Sequence, residues 1–274
     1  MILYEMFSYS FLVRAVIVGL PVALCAALLG VSLVLKRYSM IGDGLSHVGF
    51  GALAVATAMQ VAPLAVSIPV VVLAAFLLLR ISESSKIRGD AAIALISVVS
   101  LAVGVVVISR STGMSTDVCK YMFGSILGVR SNEVAPSIAL CAVVLALFVL
   151  CYHKIFAVTF DETFARATGT QTGLYNMLIA FLTAITIVLG MQMMGALLIS
   201  SLVIFPALTS MRVCKRFRSV TICSAGIAVV CFFLGIVGSY LYDIPTGASV
   251  VLVNATAFGL FWALRLLQGR GSGV

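Results

Sequence analysis

Long runs of apolar residues follow one another along this chain and limit what it can fold into. An α-helix needs about 20 mostly apolar residues to cross a bilayer. Nine runs approach that length: Phe11–Leu35, Gly44–Val61, Leu64–Leu79, Ala91–Ile108, Val134–Tyr152, Tyr175–Met191, Gly195–Met211, Val220–Leu241 and Gly247–Leu267. Charged residues make up only 9% of the 274 residues, against about 25% in an average soluble domain. The sequence predicts an all-α, polytopic membrane protein with about eight to nine transmembrane helices, forming a single domain over residues 1–274.

Two places leave the number of helices open. The polar break at Gln192–Met194 could separate two helices or lie inside one long, kinked helix. The segment Tyr121–Val129 is short for a span and carries Gly124 and Gly128 at a spacing that suits close helix packing, so it could be a re-entrant piece or an external amphipathic helix. The first run has neither a basic stretch before it nor a small-residue cleavage site after it, so we expect it to remain as a helix.

Basic residues collect in alternate loops and predict how the chain is oriented. One side has Lys36, Arg37, Arg80, Lys86, Arg88, Lys154, Arg166, Arg212, Lys215, Arg216, Arg218, Arg265 and Arg270. The other side has only Arg14, Arg110, Lys120 and Arg130. Because loops rich in Lys and Arg stay in the cytoplasm, we expect the N-terminus outside and the C-terminus inside. This distribution also explains the net charge of +8 without nucleic-acid binding.

Two ionisable residues lie at the start of the second run. Asp43 and His47 are four residues apart and so project from one helix face. Ionisable groups inside a span are functional candidates, and a carboxylate with an imidazole supplies half of a tetrahedral zinc site or part of a manganese shell. Gly42, Gly44 and Gly49 leave room for another backbone. Alternatively, Asp43 caps the helix and His47 bonds to a neighbouring helix.

The sequence lacks three common enzymatic signatures, including the one for nucleotide hydrolysis. It has no GxxxxGK[ST] phosphate loop, no GxSxG elbow and no HExxH motif. In the loop 160–169, Asp161 and Glu162 favour a helix N-terminus and Gly169 favours its C-terminal end. This pattern predicts a short amphipathic helix on the cytoplasmic side, which could receive a partner or lie at the interface as an ordinary helix.

Five sequence blocks together resemble a known family. The first, at 36–47, reads KRYSMIGDGLSH. The others are Tyr121–Val129, Asp161–Gly169, Gly195–Ala207 and Tyr242–Val251. In this order they resemble the membrane permease subunits of bacterial ABC importers for zinc, manganese and iron, and the resemblance extends over essentially the whole chain.

This resemblance implies a fold similar to a smaller cobalamin-importer permease, located in the bacterial cytoplasmic membrane. It implies a permease dimer with two cytoplasmic ATPases and an extracytoplasmic metal-binding protein, and a transported zinc, manganese or ferrous ion with no permanently bound cofactor. Asp43 and His47 would occupy the family's metal-ligand positions. The segment Asp161–Gly169 would be the coupling helix that enters the ATPase, with Asp161, Glu162, Phe164, Ala165 and Gly169 as its coupling residues.

The metal and the completeness of the site remain open at this stage. Some zinc-type members carry a further histidine where this chain has Leu95–Ser100, which weakens the choice of zinc. Two ligands in one protomer are too few, so we expect two copies of the helix, approaching through Gly42, Gly44, Ser46 and Gly49, to share a site near the dimer axis. Alternatively, each protomer keeps its own pair, and water or a third residue completes the shell.

Two other classes of function remain possible. One is an ATP-independent secondary carrier or channel, which internal inverted repeats would favour; none is visible in the sequence. The other, an intramembrane metalloprotease, would need an HExxH motif or a third ligand.

Overall fold

The chain forms a bundle of α-helices. The computed structural model describes residues 8–84, 89–111 and 131–270, and within these ranges the helices are joined by short turns. They are α1 (Ser10–Leu35), α2 (Ile41–Ala58), α3 (Pro63–Ser84), α4 (Gly89–Ser111), α5 (Ser131–Leu150), α6 (Tyr152–Phe160), α7 (Glu162–Ala167), α8 (Thr172–Met194), α9 (Ala196–Val213), α10 (Phe217–Tyr242) and α11 (Thr246–Arg270).

Each of the nine predicted runs coincides with one long helix, so the all-α, multi-pass prediction is confirmed. By length and composition alone, seven helices in the described ranges could cross a membrane, and α3 adds a shorter apolar stretch over Leu64–Leu78. Helix α2, which carries Asp43 and His47, is not among these seven. The predicted number of eight or nine spans is thus approximate. The segment Tyr121–Val129 lies outside the described residues.

A single glycine separates α8 from α9. The predicted break at Gln192–Met194 is still helical, and the chain turns at Gly195, whose φ of 92° is in a region that favours glycine. A Cβ atom on Gly190 would collide with Ile199, which shows that α9 folds back along α8. The two runs therefore form two helices, as a hairpin.

The buried centre of the bundle is formed by α1, α8 and α9. Most residues of these helices are buried, whereas α4, α5 and α11 are largely exposed. Their exposed side chains include Leu95, Val98, Val143 and Leu260, which suit contact with lipid chains. The inner helices are therefore shielded from the bilayer by the outer ones.

Two glycines allow backbones to touch. A Cβ atom on Gly30 of α1 would collide with the carbonyl oxygen of Val203 in α9. A Cβ atom on Gly51 of α2 would lie 2.7 Å from the carbonyl oxygen of Ser100 in α4, closer than van der Waals contact. Small residues permit such approach between membrane helices, and α1 with α9 and α2 with α4 are consequently tightly paired.

Several turns with basic residues meet at one end of the bundle. Lys36, after α1, contacts Glu162 of α7. The ring of Phe217, at the start of α10, packs against Tyr152 and Phe156 with centroid distances of 5.5 and 5.0 Å. This is the end that the charge pattern assigns to the cytoplasm, and we refer to it below as the basic end.

Candidate functional site

The turn between α1 and α2 positions the predicted ligand pair. Helix α1 ends at Leu35, the backbone of Arg37 takes a left-handed φ of 63°, and α2 begins at Ile41. Asp43 consequently lies in the first turn of α2, where a negative charge interacts favourably with the helix dipole. Met40 is the N-cap residue and makes no side-chain capping hydrogen bond, so Asp43 does not serve as the cap of this helix.

Asp43 and His47 lie side by side on the partly open face of α2. The Oδ2 atom of Asp43 is 3.6 Å from Nε2 of His47, and the side chains are 45% and 17% exposed. The other imidazole nitrogen, Nδ1, is buried and has no hydrogen-bond partner among the described residues. Leaving such an atom unpaired is unfavourable. The carboxylate and the imidazole nitrogen facing it therefore form the partly accessible pair, while the second nitrogen is enclosed by the protomer.

The glycines of α2 are used for packing within the chain. A Cβ atom on Gly44 would lie 2.5 Å from Cγ2 of Ile93 in α4, and one on Gly49 would lie 2.8 Å from Cε of Met191 in α8. Gly42 faces α9 at an ordinary van der Waals distance. Three helices surround α2 in this way, which restricts its open face to the side that carries the ligand pair.

The ligand pair is incomplete within one chain. The described residues contain no group of three or more His, Cys, Asp or Glu side chains that could hold a metal ion. Zinc in proteins is almost always four-coordinate when bound structurally, and manganese favours octahedral oxygen-rich shells. Asp43 and His47 can therefore contribute to a metal site that something else completes.

The segment 160–169 forms a helix with both ends capped. Asp161 is the N-cap of α7, and its Oδ1 atom accepts hydrogen bonds from the backbone of Phe164 at 2.9 Å and the hydroxyl of Thr163 at 2.6 Å. These donors hold the pKa of the Asp161 carboxyl below its usual value. At the other end, Gly169 has a φ of 80°, and its N–H donates to Arg166 in a Schellman arrangement. The caps fix where this short helix begins and ends.

Two neighbouring residues of α7 face opposite sides. Ala165 is 1% exposed and is buried against the protomer, whereas Phe164 is 66% exposed. Ala165 therefore holds the helix against the protomer, and the ring of Phe164 points away from it. Only Phe164 of this pair is accessible to a partner in this structure.

Sequence reasoning missed a set of polar contacts beside α7. The ammonium group of Lys36 donates a hydrogen bond to the side-chain oxygen of Asn176 in α8 and lies 3.7 Å from Oε2 of Glu162. Asn176 is a buried amide in an apolar helix, and that isolated polar residue was the available sequence signal. Its partner could not be identified, because 140 positions separate Asn176 from Lys36.

Known proteins similar to this chain support the same architecture. The family model described as the ABC 3 transport family matches residues 8–264. The manganese transport system membrane protein of Halalkalibacterium halodurans is 26% identical, over 97% of this chain and 91% of that protein. In Thermotoga maritima, the protein named probable metal transport system membrane protein is 33% identical, over 93% of this chain and 90% of its own length. The structure of PsaBC from Streptococcus pneumoniae in complex with Fab aligns with a TM-score of 0.86 and 27% identity, over 95% of this chain and 94% of that one.

Proposed function

This chain belongs to the ABC 3 transport family, and from that premise we propose that it is the permease subunit of an ATP-driven importer for a divalent transition-metal ion. The names of the relatives from Halalkalibacterium halodurans and Thermotoga maritima refer to manganese and metal transport. The observation that carries the proposal is the Asp43–His47 pair, an oxygen and a nitrogen ligand on the partly open face of a buried helix.

We propose that this pair binds the ion during its passage. The carboxylate compensates positive charge that would otherwise be very unfavourable inside a bilayer, and the neutral imidazole adds a nitrogen ligand. Carboxylate and imidazole together suit zinc, manganese and ferrous iron, so ligand type does not choose among them. The proposed substrate is accordingly a divalent ion of the first transition-metal row, and the ligands do not specify which one.

A second copy of the permease is the best candidate to complete the site. A two-fold axis brings the same surface of each subunit together, so two α2 helices would offer two carboxylates and two imidazoles. The partial exposure of the Asp43 and His47 side chains supports this proposal, because it leaves the carboxylate and one imidazole nitrogen open to a further contact.

The energy for uptake would come from separate ATPase subunits. The sequence has no phosphate-binding loop, and α7 offers the exposed ring of Phe164 at the basic end. We propose that α7 is the coupling helix and that an ATPase subunit binds it, while a metal-binding protein delivers the ion at the opposite end.

Uptake by the reconstituted complex tests the proposed function. Proteoliposomes that contain the permease with its ATPase are expected to take up metal ion under two conditions. ATP must be present on the side of the membrane where the ATPase lies, and the metal-loaded binding protein must be present on the other side. Competition among zinc, manganese and ferrous iron then identifies the substrate. Equal uptake without ATP would favour a secondary carrier or channel, and the importer proposal would be abandoned.

Cysteine labelling tests the proposed orientation. After replacement of the native cysteines, we expect probes at positions near Lys86, Arg166 and Arg216 to be accessible from the cytoplasm, because the basic residues accumulate there. Probes near Gln60, at Thr112 and in the Tyr242–Thr246 turn should be labelled by reagents added on the external side. Labelling of positions 86 and 112 from the same side would contradict this orientation.

A further inference from the structure

The contact between Lys36 and Glu162 joins two functional parts of the chain. Lys36 is the C-cap residue of α1 and begins the turn that leads into α2 and the ligand pair. Glu162 is the first residue of α7. Their charged groups are 3.7 Å apart, and the Lys36 side chain is only 12% exposed. A cation held so far from water needs partners, and Glu162 with Asn176 supplies them.

The surroundings make this contact a direct connection between α7 and the turn. A cavity of about 270 Å³ lies beside it and is lined by Lys36, Glu162 and Asn176, among others. Close-packed side chains transmit displacement, and the apolar side chains of the protomer do not pack closely across this cavity. Movement of α7 would therefore reach the α1–α2 turn through the ion pair more than through apolar packing.

The second partner of Glu162 does not offer the same connection. Arg166 lies 3.4 Å from Oε1 of Glu162, but it belongs to α7 itself and its side chain is mostly exposed. An exposed pair within one helix contributes little. Arg166 also donates to Thr172 at the start of α8, so Lys36 is the partner that ties Glu162 to the α1–α2 turn.

Resting on the proposed function, we propose that Lys36 is a positioning residue that passes motion of the coupling helix α7 to the helix carrying Asp43 and His47. It touches neither the metal ion nor the ATPase. Its role is to couple ATP hydrolysis to movement of the metal ion, so ATP hydrolysis continues without uptake when Lys36 is lost.

The test measures metal ions taken up per ATP hydrolysed by the full complex in proteoliposomes. We expect Lys36→Met to bind the ATPase and hydrolyse ATP normally, while the uptake ratio falls about tenfold, a magnitude typical of coupling between sites. The matched control is Lys215→Met, since Lys215 is an exposed lysine in the α9–α10 turn and its loss should leave the ratio unchanged.

A variant that keeps the charge separates coupling from simple stability. Lys36→Arg retains a cation that can pair with Glu162 and donate to the side-chain oxygen of Asn176. We expect it to keep most of the ratio, and its ratio tests the proposal even if Lys36→Met does not assemble. Failure of both variants to assemble, or a ratio for Lys36→Arg as low as that of Lys36→Met, overturns the proposal, because the contact then serves folding or depends on something other than the ion pair.

Uptake by the wild-type complex distinguishes a failure of the proposed importer function from a failure of the proposed role of Lys36. If it takes up no metal ion, the proposed function fails and this inference fails with it. If it takes up metal ion and Lys36→Met keeps the wild-type ratio, the importer stands and the role of Lys36 is rejected.

Discussion

We expect metal uptake to be lost when either Asp43 or His47 is replaced by alanine. Each change removes one of the two candidate ligands that a protomer offers. Loss of residues that merely orient ligands weakens metal binding about 10- to 100-fold, so loss of a ligand itself should reduce uptake by at least about 100-fold. Both side chains are partly open, and little packing is removed, so assembly with the ATPase should be retained.

The chain supplies a matched control for this experiment. Its other histidine, His153, lies exposed on α6, and His153→Ala should transport normally. Asp43→Asn keeps the shape of the side chain and removes its charge, so its loss of uptake would show that charge and ligation matter more than packing. Full transport by the double alanine variant, or a bound metal ion far from both residues in anomalous scattering, would contradict the site.

The second large effect is expected at the exposed ring of α7. Replacing Phe164 by glutamate removes an apolar anchor and introduces a charge where the ATPase is proposed to bind. Aromatic residues at the centre of an interface typically contribute about 2 to 4 kcal/mol, which is roughly a 30- to 700-fold change in dissociation constant. Co-purification of the permease with its ATPase and the affinity in nanodiscs measure the effect.

Two variants make this result specific. Tyr242→Glu places the same charge on an exposed aromatic residue at the far end of α10, about 39 Å along the helix from the basic end, and should leave ATPase binding intact. Ala165→Glu buries a charge under α7 and should destabilise the permease itself. Unchanged ATPase binding by Phe164→Glu would remove α7 from the proposed coupling role.

Sequence patterns predicted the helices well because each apolar run is a local property. The runs predicted for α1 and α10 agree with the structure to within three residues at each end. The break between α8 and α9 was harder to place. Gln192 is the most polar residue nearby, yet the turn occurs at Gly195, because a backbone φ of 92° depends on the absence of a side chain and not on polarity.

The candidate site was only partly predictable. The spacing of Asp43 and His47 is enough to place both on one helix face, and the structure brings them together. By contrast, a six-residue helix is too short for periodicity to tell that Ala165 is buried and Phe164 exposed. The contact of Lys36 with Glu162 joins distant parts of the chain, and a local pattern holds no information about such pairs.

The two close backbone contacts limit how the bundle can change shape. If α1 slid by one turn along α9, Val34 or Ala26 would replace Gly30 opposite Val203, and a side chain does not fit where a Cβ atom already collides. The same reasoning applies to Gly51 and Ser100 between α2 and α4. A shift of one turn within either pair is therefore excluded, and we expect α1 with α9 and α2 with α4 to move as pairs when the bundle changes shape.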